Sequence, residues 1–240
     1  MSNIEGLFRS KKVHLLVDPD RWTESEVSSL VSALPPSIAS VIIGGTFVHS
    51  GSVDRLTLIC KDAGVTVGNF LSSGASDNLI SDMADFLLIP ILLVAPSLRF
   101  VTQHIVDATP KLRRLRIPTI CAVYLSLSRP DVTSAHFFTQ AIPLPRGRPE
   151  IIETLSHAAS FLGLSAIYLD AGSGAVNEAS QDEISAAASA GLPVIVGGGI
   201  RDAATCTKAL ESGATAVVIG TLIENDHCLP AWTRATMSAI

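Results

Sequence analysis

The feature that most constrains this chain is an alternation. Short apolar runs stand at Val13–Val17, Val41–Ile43, Val65–Val67, within Phe86–Leu93, and at Thr119–Leu125, Ala166–Leu169, Pro193–Val196 and Ala216–Ile219. Between them, helical periodicity fills Glu24–Leu34, Val53–Ala63, Ser97–Leu115, Pro149–Leu162, Gln181–Ala190 and Ala203–Ser212, and Leu229–Ala239 reads as a closing helix. Strand followed by helix, repeated, predicts parallel strands joined by right-handed crossovers. Eight such units in 240 residues match the length of one (β/α)8 TIM barrel, so a single domain over 1–240 is expected. An open doubly wound sheet shares the alternation, but the glycine-rich turns of the last quarter favour the barrel. Two stretches break the rhythm. Gly68–Asp85 is short and rich in Ser and Gly, which predicts a reduced or missing third helix, and Ser126–Arg148 is a long connection of the kind that often carries function.

Composition supports strands covered on both faces. Hydrophobic residues make up 48% of the chain and charged residues 16%, with a mean hydropathy of +0.43. Such a chain has apolar surface to spare for a greasy pocket or a subunit interface. A net charge of −5 argues against a general nucleic-acid binder. The longest apolar run, Phe86–Ala95, is broken by Pro90 and falls short of the roughly 18–20 residues of a membrane span. The apolar run after Lys11 and Lys12 soon meets Asp18 and Pro19, so it reads as a first strand and not a signal sequence. Cys60, Cys121, Cys206 and Cys228 lie far apart without metal-ligand spacing, which suits reduced thiols and a cytoplasmic protein.

The chemistry gathers at strand ends. "VIVGGGIRD" (Val194–Asp202) and "AVVIGTLIEND" (Ala216–Asp226) each run from a strand into a bare turn. In a barrel these are the loops after strands seven and eight, where backbone N–H groups commonly hold phosphate. "AGSGA" after strand six adds a third bare loop, with the Ser173 hydroxyl. Tight turns alone are the plainer explanation, but three adjoining bare loops are more specific than one. Asp18 ends strand one in "HLLVDPD" and suits a hard Mg²⁺ shared with substrate phosphates, though an acid there can also cap a turn. "IIGGTF" offers the Gly45 amide and Thr46 hydroxyl to a second phosphate group. Asp170, at the lip of strand six, can act as a general base, orient a basic side chain or cap a turn. Tyr168 shares its side of the strand, as a ligand-facing hydroxyl or a core tyrosine. Arg146 and Arg148 of "PRGRPE" are candidates for guarding an anionic entrance, whereas "KLRRLR" (Lys111–Arg116) reads as a solvated helix end. His104 and His157 read as packing or surface residues.

In order along the chain, "LLVDPD", "IIGGT", "PLPRGRPEI", "YLDAGSGA", "VIVGGGIRD" and "VVIGTLIE" resemble the geranylgeranylglyceryl phosphate synthase family. That family of (β/α)8 prenyltransferases includes bacterial heptaprenylglyceryl phosphate synthases and the prenyltransferase of moenomycin biosynthesis. The resemblance implies Mg²⁺-dependent transfer of a polyprenyl group from its diphosphate to a phosphorylated C3 acceptor, sn-glycerol 1-phosphate or an acceptor such as 3-phosphoglycerate. It implies Asp18 and Thr46 at the metal and, with Gly45, at the donor diphosphate. Ser173, Gly174, Gly198, Gly199, Gly220 and Thr221 would hold the acceptor phosphate beside Tyr168, and Asp170 would take the acceptor's proton. A homodimer or larger assembly is implied, and peripheral membrane contact for product release is compatible with it. Where the family usually has Tyr-Leu-Glu, this chain has Tyr168-Leu169-Asp170, which shortens the reach by about 1.5 Å. A catalytically silent phospholigand or isoprenoid binder is the contrasting expectation.

Overall fold

In strand β6 (Ala166–Asp170), Ala166 and Tyr168 point to one side and Ile167 and Leu169 to the other, and all four are buried. Successive side chains of a strand alternate faces, so burial of both parities means that both faces are covered. The same pattern runs through β1 (Lys12–Val17), β2 (Ile38–Ile43), β3 (Val67–Phe70), β4 (Phe86–Ile91), β5 (Thr119–Ser126), β7 (Val194–Gly197) and β8 (Ala216–Ile219). The strands pair in parallel, each with its neighbour in sequence, and β1 pairs with β8 to close an eight-stranded barrel. The computed structural model describes residues 6–46, 48–49, 51–71, 79–225, 227–229, 231 and 233.

Closure sorts the core into two shells. One parity faces the barrel axis, where Phe8, Ile42, Phe86, Leu88, Ile120, Ala122, Ala166, Tyr168, Ile195, Ala216 and Val218 pack together. The other parity meets the surrounding helices through residues such as Val13, Leu15, Val123, Ile167 and Leu169. Among the described residues these helices are α1 (Glu24–Ser32), α2 (Val53–Asp62), α3 (Gln103–Leu115), α4 (Ser134–Thr139), α5 (Pro149–Phe161), α6 (Gln181–Ala188), α7 (Ala203–Glu211) and α8 (Thr221–Glu224). Several start on a capping side chain. Thr23 with Glu26, and Ser180 with Glu183, close reciprocal capping boxes that satisfy otherwise orphaned backbone N–H groups.

The expected elements shift in three places. The third strand runs from Val67 to Phe70 rather than from Val65 to Val67. It is drawn onward by the buried Asn69, whose side chain accepts from the Ser81 N–H at 2.7 Å and donates to Thr57 Oγ1 at 3.1 Å. Residues 79–85 contain no α-helix, and residues 72–78, where the rest of the expected reduced or missing third helix falls, lie outside the described set. The helix expected over Ser97–Leu115 is divided. Ser97 caps a 3-10 turn, Leu98–Phe100, before α3 begins at Gln103. The long connection after β5 contains a short helix, α4, capped by Thr133. The closing helix expected over Leu229–Ala239 falls almost wholly outside the described residues.

Candidate active site

At the C-terminal ends of the strands the barrel opens into a cavity of about 320 Å³. Asp18, Gly45 and Thr46 line one part of it, and Tyr168, Asp170 and Ser173 another. A second hollow of about 60 Å³ adjoins it, lined by Ser173, Gly198, Gly199, Gly220 and Thr221, and shares Leu16, Tyr168, Asp170 and Ser173 with the first. Tyr168 and Asp170 therefore stand on the wall common to both. Of the residues expected at the phosphates and the metal, Gly174 alone lines neither hollow. Its N–H donates to Thr221 Oγ1 at 3.0 Å, tying the loop after β6 to the loop after β8.

Both oxygens of Asp170 are engaged. Oδ1 accepts from the Gly172 N–H at 2.8 Å, so the turn-cap geometry is present. Oδ2 accepts from the Tyr124 hydroxyl, and a carboxylate retains further lone pairs beyond these two bonds. Tyr124 is stacked on Tyr168, with ring centroids 5.5 Å apart, and Phe70 meets Tyr168 edge-on at 5.8 Å. Burial, and then the charge of Asp170, push both phenols well above their ordinary range. At neutral pH both phenols keep their protons, and the Tyr124 hydroxyl donates to the Asp170 carboxylate. Behind them the buried His136 sits 2.6 Å from Ser126 Oγ, and burial lowers its pKa.

The loop lining the smaller hollow is braced by two guanidinium groups. Arg129 donates to the Ser173 carbonyl at 2.7 Å, and Arg201 donates to the Ala175 carbonyl at 2.6 Å. The glycines there do different work. At Gly198, with φ +78°, a Cβ would lie 2.6 Å from the Gly172 N, so loop-on-loop packing already demands glycine. At Gly220 a Cβ would come no nearer than 3.6 Å to Leu16. Packing therefore leaves room for a side chain at Gly220, and the bare backbone there faces the hollow.

On the opposite side, Asp18 Oδ1 accepts from the Asp20 N–H at 3.0 Å, and a Cβ on Gly45 would stand 2.9 Å from Asp18 Oδ2. Burial raises the pKa of Asp18, and burial likewise raises that of Glu224. Asp20 staples a loop, its carboxylate accepting from the N–H groups of His49 and Gly51 at 2.6 and 2.7 Å. Arg21 lies between Glu224, at 3.1 Å, and Asp18, at 3.9 Å. Tyr124, Phe70, Arg21 and Glu224 thus join the site without having been singled out by sequence. Arg146 does not guard an entrance. It pairs with the buried Glu183 at 3.0 Å and donates to the Glu178 carbonyl, while Arg148 pairs with Glu150.

No cluster of three His, Cys, Asp or Glu side chains suited to a metal occurs among the described residues. Mg²⁺ does not require one, because it keeps several waters and takes one or two carboxylates together with substrate phosphates. Asp18 and Thr46, adjacent on the cavity wall, supply hard oxygen donors that fit such an ion.

A closed parallel barrel with bare loops after strands six to eight and acids at its strand ends defines a phosphate-handling (β/α)8 enzyme. The chain belongs to the PcrB family, whose model matches residues 7–237, and it falls among the ether-forming prenyltransferases. It is 36% identical over 221 residues to the geranylgeranylglyceryl phosphate synthase of Cenarchaeum symbiosum, covering 88% of this chain and 87% of that protein. The wild-type GGGPS of Thermoplasma volcanium superposes with a TM-score of 0.82 at 26% identity, covering 99% of this chain and 95% of that one. The Thermoplasma acidophilum (S)-3-O-geranylgeranylglyceryl phosphate synthase, solved with sn-glycerol-1-phosphate, shares the fold with a TM-score of 0.84 at 24% identity, covering 99% and 96% of the two chains. Among the described residues no helix is long and apolar enough to cross a membrane.

Proposed function

We propose that this protein transfers a geranylgeranyl-type polyprenyl group from its diphosphate to the hydroxyl of sn-glycerol 1-phosphate, with Mg²⁺. The observation that carries the reading is the placement of Asp170 on the wall shared by two anion-suited hollows. The donor diphosphate takes the side of Asp18, Gly45 and Thr46. The acceptor phosphate takes the smaller hollow, held by the Ser173 hydroxyl and backbone amides of the loops at Gly198, Gly199, Gly220 and Thr221, with Gly174 bracing them. The names of the curated relatives support this choice of donor group and acceptor.

In that arrangement Asp170 accepts the proton of the attacking hydroxyl. A new bond forms between the acceptor oxygen and prenyl C1 while the C1–O bond to diphosphate breaks, and the diphosphate leaves with the electron pair. Tyr124 and the Gly172 N–H hold the carboxylate in place, and Tyr168 sits beside the reacting atoms. Asp18 and Thr46 would hold Mg²⁺, whose positive charge would stabilise the departing diphosphate. The prenyl chain leads away over Phe70 and Tyr124 toward a small apolar hollow bounded by Pro90, Leu92 and Ala135. The product is a lipid, and the exposed Val132, Phe137 and Ile142 of the connection after β5 suit a peripheral membrane contact. The test is incubation with geranylgeranyl diphosphate, Mg²⁺ and each phosphorylated C3 acceptor in turn. A prenylated ether from sn-glycerol 1-phosphate supports the reading, product from 3-phosphoglycerate alone reassigns the acceptor, and no product from either overturns it.

A further inference from the structure

The larger cavity has an unusual charge balance. Asp18, Asp20, Asp170 and Glu224 all line it, and Arg21 is the single cationic side chain among its described lining residues. A diphosphate ester brings in about three more negative charges near neutral pH. One divalent cation offsets two of them and still leaves the anion facing acids. Arg21 is placed to supply the missing charge. Its side chain is 63% exposed, whereas the Glu224 carboxylate it meets at 3.1 Å is 14% exposed and held on the wall. Asp18 is a weaker partner at 3.9 Å, and Asp20 is committed to its loop amides. A guanidinium presents a planar fork of donors that matches phosphate oxygens as well as carboxylate oxygens.

We propose that Arg21 is a donor-diphosphate residue and that Glu224 is its resting partner. On donor binding the guanidinium exchanges the Glu224 carboxylate for diphosphate oxygens. Glu224 is then a built-in competitor, so anions too weakly charged to displace it bind poorly. This inference rests on the placement of the donor diphosphate beside Asp18.

Calorimetric titration of the full chain with inorganic pyrophosphate and Mg²⁺ tests both statements separately. Binding by the wild type that is lost in Asp18→Asn supports the donor placement. Against that background Arg21→Gln should weaken pyrophosphate about tenfold or more, the scale of one charge-assisted hydrogen bond, and Arg21→Lys should fall between the two. Glu224→Gln should tighten it about three- to tenfold, because the competing charge is gone. A pair serving only to hold the fold would weaken binding in both variants. An Arg21→Gln affinity within about twofold of wild type, or a weaker Glu224→Gln, overturns the inference while leaving the donor placement intact. Wild-type protein that does not bind pyrophosphate overturns both.

Discussion

The Tyr124 hydroxyl donates to Asp170 Oδ2 across neighbouring strands, and the two residues share the wall of the larger cavity. In the β5–β6 register Tyr124 lies opposite Tyr168 and Ser126 opposite Asp170, so the bond runs diagonally over one residue pair. It fixes the direction of a carboxylate that is one methylene shorter than the family's usual glutamate. Tyr124→Phe removes that restraint but keeps the ring stack. Turnover should drop about 10- to 100-fold, as expected when a reacting group is misplaced by about 1 Å, while the acceptor KM stays nearly unchanged. Steady-state kinetics with varied acceptor check this.

Loss of the base itself should be more severe. Asp170→Asn keeps the shape and loses the proton acceptor, and kcat should fall about 10²- to 10⁴-fold. Asp170→Glu should also change the rate, because the longer side chain enters the space that Tyr124 occupies. A protein in which neither substitution alters turnover does not use this carboxylate.

Two glycines of the acceptor hollow should respond in opposite ways. Gly198→Ala forces a left-handed φ of +78° on a residue with a Cβ and presses that carbon against Gly172. The combined strain should cost about 2–4 kcal/mol and be read as a lower melting temperature. Gly220→Ala has space within the fold, so stability should hold within about 0.5 kcal/mol while the acceptor KM rises. Thermal melts and acceptor titrations of both variants separate packing from binding.

Asp18 should illustrate stability given up for a binding site. Burial raises its pKa, so the folded state favours the protonated carboxyl. The stability this group contributes is present below the ordinary carboxylate range and is lost as the pH rises through the raised pKa. Asp18→Asn retains an oxygen for the Asp20 N–H and removes the charge. The ligand-free variant should melt higher than wild type at neutral pH, with the gain narrowing as the pH is lowered. The stabilisation by Mg²⁺ and pyrophosphate together should disappear in the same variant.

Chelation of divalent ions should abolish turnover of the wild type, with recovery on adding Mg²⁺ back. A chelator-treated enzyme at full rate would remove Mg²⁺ from the mechanism.

Much of the fold was legible because it is written in local periods. The run from Ala166 to Asp170 shows which side chains alternate, and the same parity that buries Tyr168 in the barrel brings Asp170 to its mouth. The bare loops at Ser173, Gly198 and Gly220 were legible for the same reason, as small residues directly after apolar strands. Tyr124 was not. Within "TICAVYLS" it reads as one more inward-facing core residue, and its role depends on which residue of the next strand lies beside it. Arg21 and Glu224 are 203 positions apart and meet because β1 pairs with β8.

The sequence by itself therefore determined the number and order of strands, the parallel barrel they imply and the acids and glycines at their ends. Each of these follows from spacing within a few residues. The tertiary structure decided which of those residues share a wall, that Arg146 is tied to Glu183 and not an entrance, and that the Asp170 carboxylate accepts from a tyrosine of another strand. Those outcomes depend on barrel closure and on register between strands, which bring residues together according to geometry that no local pattern records.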